Sequence, residues 1–369
     1  MKLKYIDSIR GIAILMVILG HIGQEVRGLG MMPHLLTSYG QMGVQLFFVA
    51  SAYTLCLSTT NRANESHPLK KYAIRRFFRI APLYYIGILG YFLVNVFLLW
   101  KKEGIIAIPT NYTFVNVLAN MLFLHGFYPP ANNTIVPGGW PIGTEMAFYV
   151  LFPFLFDYAK KNTLASLRLG MLLLSIVLIV SQLLLLSTLY FTGLVMKNNG
   201  FMYSNLIIQL PVFCVGIGYY LFEDNILFKR NWLFDLIAFI LLTAISLSLW
   251  NADEDYYFSF IPFVSAVSFI FLINIFKKIK KLNSNFLVKI GTVSYSMYII
   301  HFLLLNFSGT ISEKISGFIN KNILLILLYI VTVLATFVLA ILSEKYIEKP
   351  FIEMGRKIIY TMNKSKAVL

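Results

Sequence analysis

Long apolar runs separated by short polar breaks dominate the chain. Runs near 9–24, 42–58, 77–99, 142–158, 169–191, 202–222, 232–250, 257–276, 288–307 and 322–342 each approach or exceed the roughly 20 residues that a helix needs to cross a bilayer. They do not alternate polar with apolar residues, as the strands of a membrane barrel do. The pattern predicts an all-α polytopic membrane protein with about ten transmembrane helices. One further apolar piece, Phe114 to His125, is too short for a crossing. It leads into FYPPANNTIVPGGWP, a Pro/Gly/Asn-rich loop without a charge. A short re-entrant or interfacial helix is expected there.

Charge orients the spans. With both termini cytoplasmic and 114–125 not crossing, 25 of the 31 Lys and Arg residues fall on the cytoplasmic side. Only Arg27, Lys101, Lys102, Lys197, Lys314 and Lys321 fall on the other. That is the asymmetry of a positive-inside topology. If 114–125 crossed, everything after it would invert and KKIKK would lie outside. The acidic loop NADED, 251–255, is expected outside.

Composition agrees: 58% hydrophobic, 13% charged, against roughly 25% charged in soluble domains. The net charge of +15 is explained by span flanks, so nucleic acid is not an expected partner. Cys56 and Cys214 lie in apolar runs and read as small core residues. No His/Cys/Asp/Glu group has metal-ligand spacing. Lys2 and Lys4 before an apolar run resemble a signal peptide, but no small-x-small site follows, so the run reads as an uncleaved first span. The division expected is a membrane domain over 1–350 and a basic cytoplasmic tail over 351–369, lying along the membrane surface.

Several polar groups sit where an apolar span should exclude them. Arg10 and His21 are 11 residues apart, close to three turns, so they share one face about 16 Å apart along the axis. An ionisable group inside a span is a functional-site hypothesis by default. Arg76 and Arg79 share a face at the start of the third span, while Arg75 points elsewhere. They read either as snorkelling flank charges or as a guanidinium clamp for phosphates. Glu145 lies in an apolar helix with Trp140 before it and Tyr149 one turn on. It either pairs with a nearby base to join helices or serves as acid/base or orienting partner for a histidine. Ser294, Tyr298 and His301 share a face, as a polar seam between helices or as part of a site. His34 and His125 read as interfacial. Glu344 and Glu348, just before Pro350, read alone as an ordinary helix exit.

In this order these pieces resemble the acyltransferase-3 family of integral membrane acyltransferases. The resemblance rests on Arg10-x10-His21, GVQLFFVASAY from Gly43 to Tyr53, Arg76-Phe-Phe-Arg79, Trp140…Glu145…Phe148-Tyr149, Ser294-Tyr295…Tyr298…His301 and Glu348-Lys349-Pro350. It spans nearly the whole chain. One departure is Ser51-Ala52-Tyr53, where the family usually has Gly after the Ser. The resemblance implies transfer of an acyl group, usually acetyl from cytoplasmic acetyl-CoA, to a hydroxyl of a cell-envelope glycan or its lipid-linked precursor, at the cell inner membrane. Acyl-CoA is then a donor substrate, and no bound cofactor is expected. The family's essential histidine maps onto His21, and its donor-linked arginines onto Arg76 and Arg79.

The residues themselves point the same way. The polyanionic donor is expected to be held at the basic face by Arg76, Arg79 and Arg10, with its thin arm reaching towards His21. His21 is expected as general base with Glu145 orienting it at similar depth; a covalent acyl-His21 step is the alternative. Ser51, Trp140, Tyr149, Tyr298, His301 and Glu348 are supporting or acceptor-side candidates. Transfer is expected to be completed within this chain, with acceptor choice in Arg27–Met42 and Phe127–Trp140. The competing function is a glycan or lipid transporter, which would call for broken helices and inverted repeats. No repeat is found, though Pro141, Pro153 and Pro211 are possible breaks.

Overall fold

The computed structural model describes residues 3–161, 183, 200–251 and 260–364. Among them every regular element is helical. In chain order the main helices are α1 (Lys4–Glu25), α2 (Met31–Tyr39), α3 (Gly43–Thr60), α4 (Pro68–Glu103), α5 (Phe114–Met121), α6 (Trp140–Lys161) and α7 (Leu206–Phe222). They continue with α8 (Trp232–Asn251), α9 (Phe260–Lys278), α10 (Asn285–Thr292), α11 (Ser294–Ile315), α12 (Lys321–Ser343) and α13 (Lys349–Lys364).

Six helical segments are long and apolar enough to cross a membrane: Lys4–Glu25, Met31–Thr60, Pro68–Glu103, Trp232–Asn251, Phe260–Lys278 and Lys321–Asn363. The pair α10 and α11, bent by 77°, makes a seventh if it is one span. The ten expected crossings are thus six or seven among the described residues. Of the others, 142–158 lies in α6, and 202–222 centres on the 17-residue α7. The expected span at 169–191 and the acidic loop after Asn251 lie outside the described residues.

The first span is the centre of the bundle. α1 packs against α2, α3, α9, α10, α11 and α12. A helix apolar on every side buries every side, and α1 buries Ile9, Ile14, Ile18 and Ile22 completely. Peripheral helices keep an apolar outer face, as lipid contact requires. α8 exposes Leu233, Ile237, Leu241 and Ile245. Its inner face is tied to α9 by Asp235, fully buried, which takes Lys278 at 2.6 Å and the Asn274 amide at 3.0 Å. Where the resemblance expects glycine, Ala52 fits because its neighbour on α7 is Gly216, whose added Cβ would lie 2.8 Å from that of Ala52.

The register of α4 against α6 sets the depth of the candidate site. Tyr72 of α4 stacks on Phe152 and donates to the Tyr149 carbonyl at 3.0 Å. Further along α4, Tyr84 stacks on His125, whose Nε2 donates to the Gly139 carbonyl at 3.0 Å. Twelve residues along α4 therefore match thirteen back along α6, and α6 begins only partway along its neighbour. The remaining part of α4, about 28 Å from Tyr84 to Glu103, is flanked by the folded-back segment 104–139. Tyr85 donates to the Met121 carbonyl at 2.7 Å, and Phe92 packs on Tyr112. α5 has only eight residues, about 12 Å. A polar hub holds this segment. Tyr84 donates to Asn120 at 2.7 Å, Asn132 to the His125 carbonyl at 3.1 Å, and Ser204 to Asn132 at 2.9 Å. His125, read from sequence as interfacial, is fully buried in this hub.

At the other end of the chain, α12 passes through one π-helical turn, Glu344–Glu348, into α13. Pro350 has no N–H for the carbonyl one turn back. The register slips, so that Lys349 N–H bonds the Glu344 carbonyl. α13 then packs on the start of α4, where buried Lys71 donates to Asn363 at 2.5 Å.

Candidate active site

The basic end of the bundle contains a cavity of about 80 Å³ lined by Arg10, Ser51, Arg79, Glu145, Tyr149 and Tyr298, among others. Glu145 accepts from the Ser51 hydroxyl at 2.5 Å and from the Tyr149 hydroxyl at 2.7 Å. Arg10 donates weakly to Thr54 Oγ1 at 3.4 Å. The Arg76 guanidinium lies over the rings of Tyr72 and Tyr149, 5.7 and 5.5 Å from their centroids, and its Nε is buried without a hydrogen bond. Among the described residues, Arg10, Arg76 and Arg79 form no ion pair. Arg75 differs: it donates to both oxygens of Glu65 at 3.0 and 2.8 Å. Burial pushes that carboxyl up, but the Arg75 hydrogen bonds and charge, with Lys71 and Arg62, hold it below its ordinary value.

Arg10, Arg76 and Arg79 gather near Glu145 in a partly dry place, with Asp7 also near Arg10 and Glu348 near Arg79. Guanidiniums held there without a direct ion pair can take up an anionic group. The planar, forked donors of arginine suit phosphate or a thioester carbonyl. Behind Arg79, buried Glu348 accepts from Ser296, whose hydroxyl oxygen can accept in turn from the Ser343 hydroxyl at 2.9 Å. The π-helical turn before Pro350 is what carries Glu348 inward.

Beyond Tyr298 lies the second half of the site. The His21 and His301 rings are 5.4 Å apart, tilted by 37°. Phe302 touches both, 4.6 Å from His21 and 4.2 Å from His301. His301 is fully buried, with Nδ1 2.7 Å from the Tyr298 carbonyl and Nε2 without a partner. Tyr298 donates to the Gly138 carbonyl at 2.7 Å and meets Phe47 edge-on. Gly138 has φ +64°, and a Cβ there would overlap the Phe302 ring. Trp140 packs on Phe48 and Tyr203.

Two clusters form, and Glu145, expected beside His21, falls in the one with the arginines. Arg10, Arg79, Ser51, Glu145, Tyr149 and Tyr298 come together; His21 and His301 come together beyond Tyr298. Glu145 takes its hydrogen bonds from Ser51 and Tyr149 and none from His21. The reason is depth: α6 starts partway along α4, so its sixth residue already faces Arg79. The place beside His21 is filled from α11. Phe302 and the His125 hub escaped sequence reading. The run of Asn and Gly without a charge was the one sign that 126–140 needed a buried polar centre.

The family model described as an acyltransferase domain matches residues 3–344. A protein of Acidianus two-tailed virus, named as a candidate acetyltransferase, is 26% identical over 320 residues, covering 86% of this chain and 78% of its own. The peptidoglycan O-acetyltransferase of Listeria monocytogenes is 26% identical over 377 aligned positions, covering 95% of this chain and 56% of its own. A candidate O-acetyltransferase of Staphylococcus aureus (strain COL) is 23% identical, with 97% and 59% covered. The chain thus spans little more than half the length of these two bacterial relatives. No solved structure matches.

Proposed function

The chain belongs to the acyltransferase-domain family, and on that premise we propose that it moves an acetyl group from acetyl-CoA to a hydroxyl of a cell-surface polysaccharide or its lipid-linked precursor. A multi-pass membrane O-acetyltransferase follows from the family and the apolar helices. The choice of donor and acceptor rests chiefly on Arg10 and Arg79, which line the cavity that Tyr298 separates from the histidine pair, and on Arg76, stacked on its Tyr149; none of the three forms an ion pair among the described residues. They favour a large anionic donor at the basic end, cytoplasmic in this reading, with the bundle in the cell inner membrane.

The phosphates of CoA are held by Arg76, Arg79 and Arg10. The pantetheine arm runs past Ser51, Glu145 and Tyr149, and the thioester reaches the region of Tyr298. His21 removes the proton of the acceptor hydroxyl as that oxygen attacks the thioester carbon. The C–O bond forms, the C–S bond breaks, and the proton passes to the CoA sulfur. General-base catalysis of this kind contributes about 10²–10⁴-fold. Glu145 belongs to the donor channel: by holding Ser51 and Tyr149 it fixes the wall that Arg76 stacks on. The test is acetyl-CoA cleavage by purified protein supplied with an envelope-glycan fraction. His21→Ala should lose at least about 10²-fold in kcat with its thermal unfolding unchanged. A His21→Ala protein as active as the wild type removes His21 from the reaction.

A further inference from the structure

We propose that His301 is the positioning residue for His21, accepting the hydrogen bond of the His21 ring N–H that faces away from the acceptor hydroxyl. The inference rests on His21 being the general base. A histidine base needs one ring nitrogen bare and the other held, and the group that holds it selects the tautomer and ring orientation. Glu145 is engaged elsewhere. His301 has the required properties. The Tyr298 carbonyl, 2.7 Å from Nδ1, can only accept, so Nδ1 carries the proton. Nε2 is then an obligatory acceptor in the neutral ring. It is fully buried and has no partner. An acceptor left bare inside a bundle is destabilising, and the neighbouring ring that can relieve this is His21, 5.4 Å centroid to centroid. Phe302 closes on both rings and limits their movement. The two imidazoles are not yet hydrogen-bonded. Contacts of this kind commonly tighten only when substrate is bound.

During transfer His21 gains the hydroxyl proton on one nitrogen while its other N–H continues to donate to His301 Nε2. His301 takes no net proton. The proton leaves His21 for the CoA sulfur, so the pair ends as it began. Gln24 is the other polar side chain that reaches the His21 ring, and it is the rival for this role.

The experiment uses the full-length protein, acetyl-CoA and an envelope-glycan fraction. It compares His301→Phe, His301→Asn, His301→Gln, Gln24→Ala and His21→Ala. Glutamine places an oxygen near the position of Nε2, whereas asparagine reaches only that of Nδ1, and phenylalanine merely fills the space. His301→Phe and His301→Asn should lose about 10²-fold in kcat with the KM for acetyl-CoA unchanged. His301→Gln should recover much of that loss, and Gln24→Ala should stay near wild type. A His301→Phe protein with wild-type kcat, or a kcat loss confined to Gln24→Ala, overturns the assignment. An active His21→Ala protein overturns the underlying reading instead, so the two failures are distinct.

Discussion

Gly138 lies far from both histidines in sequence, yet replacing it by alanine should disable them. Two effects combine. A side chain at φ +64° occupies the left-handed region at a cost of about 1–2 kcal/mol. The added Cβ would also lie 2.1 Å from Cε2 and 2.6 Å from Cζ of Phe302. Ordinary carbon contacts are about 3.5–4.0 Å, so the ring must retreat by roughly 1.5 Å. Phe302 is packed between Gly138 and the two imidazoles, so the displacement is passed to His21 and His301. A misplacement of about 1 Å at a reacting group is worth about 10²-fold. Gly138→Ala is therefore expected to lower kcat about 10²-fold with little change in the KM for acetyl-CoA, because the arginine cavity lies on the other side of Tyr298. The control is Gly104→Ala. Gly104 has φ +71° and nothing within 4 Å of its would-be Cβ, so it carries the backbone strain without a ring to move. Steady-state kinetics and thermal unfolding of both variants make the comparison. Equal kcat losses in the two variants, or wild-type kcat in Gly138→Ala, would show that Phe302 does not pass the displacement to the histidines.

Arg76→Ala and Arg79→Ala should each raise the KM for acetyl-CoA by about 10–10²-fold, the worth of a charged hydrogen bond of roughly 1.5–3 kcal/mol; unchanged donor affinity in both returns them to the role of flanking charges. Asp235→Ala should cost about 3–5 kcal/mol of stability by leaving Lys278 without its buried partner, while kcat per folded molecule stays at the wild-type value. Denaturation and kinetics on the same preparation check this, and an unshifted unfolding midpoint contradicts it.

What the sequence could convey depended on the range of the interaction. Run length and flanking charge mark the crossing helices from within each segment, which is why α1, α4, α9 and α12 were legible. The Arg76/Arg79 face is also local, since i, i+3 spacing fixes it. Depth is not local. Glu145 reaches the depth of His21 only if α6 starts at the membrane face. The folded-back 104–139 segment and its Tyr84–His125–Gly139 hub move that start inward. Likewise α11 periodicity put Ser294, Tyr298 and His301 on one face, but nothing within α11 says that this face meets His21. The 77° break before Ser294 aims α11, and such an angle leaves no periodic trace. Ser296 meets Glu348 through a π-helical turn, which the Lys349-Pro350 dipeptide hints at without specifying.

Donor and acceptor are proposed to meet from opposite ends of one bundle, with arginines at one end and histidines towards the other. Reconstituted vesicles with the protein in a single orientation test it directly. Acetyl-CoA is supplied only on the side of Arg76 and Arg79, and a glycan acceptor only on the opposite side. Mass spectrometry then reads acetylation of the glycan. Acetylated glycan is expected in this arrangement, and none when acetyl-CoA is moved to the acceptor's side. Acetylation only when donor and acceptor share one side would contradict it.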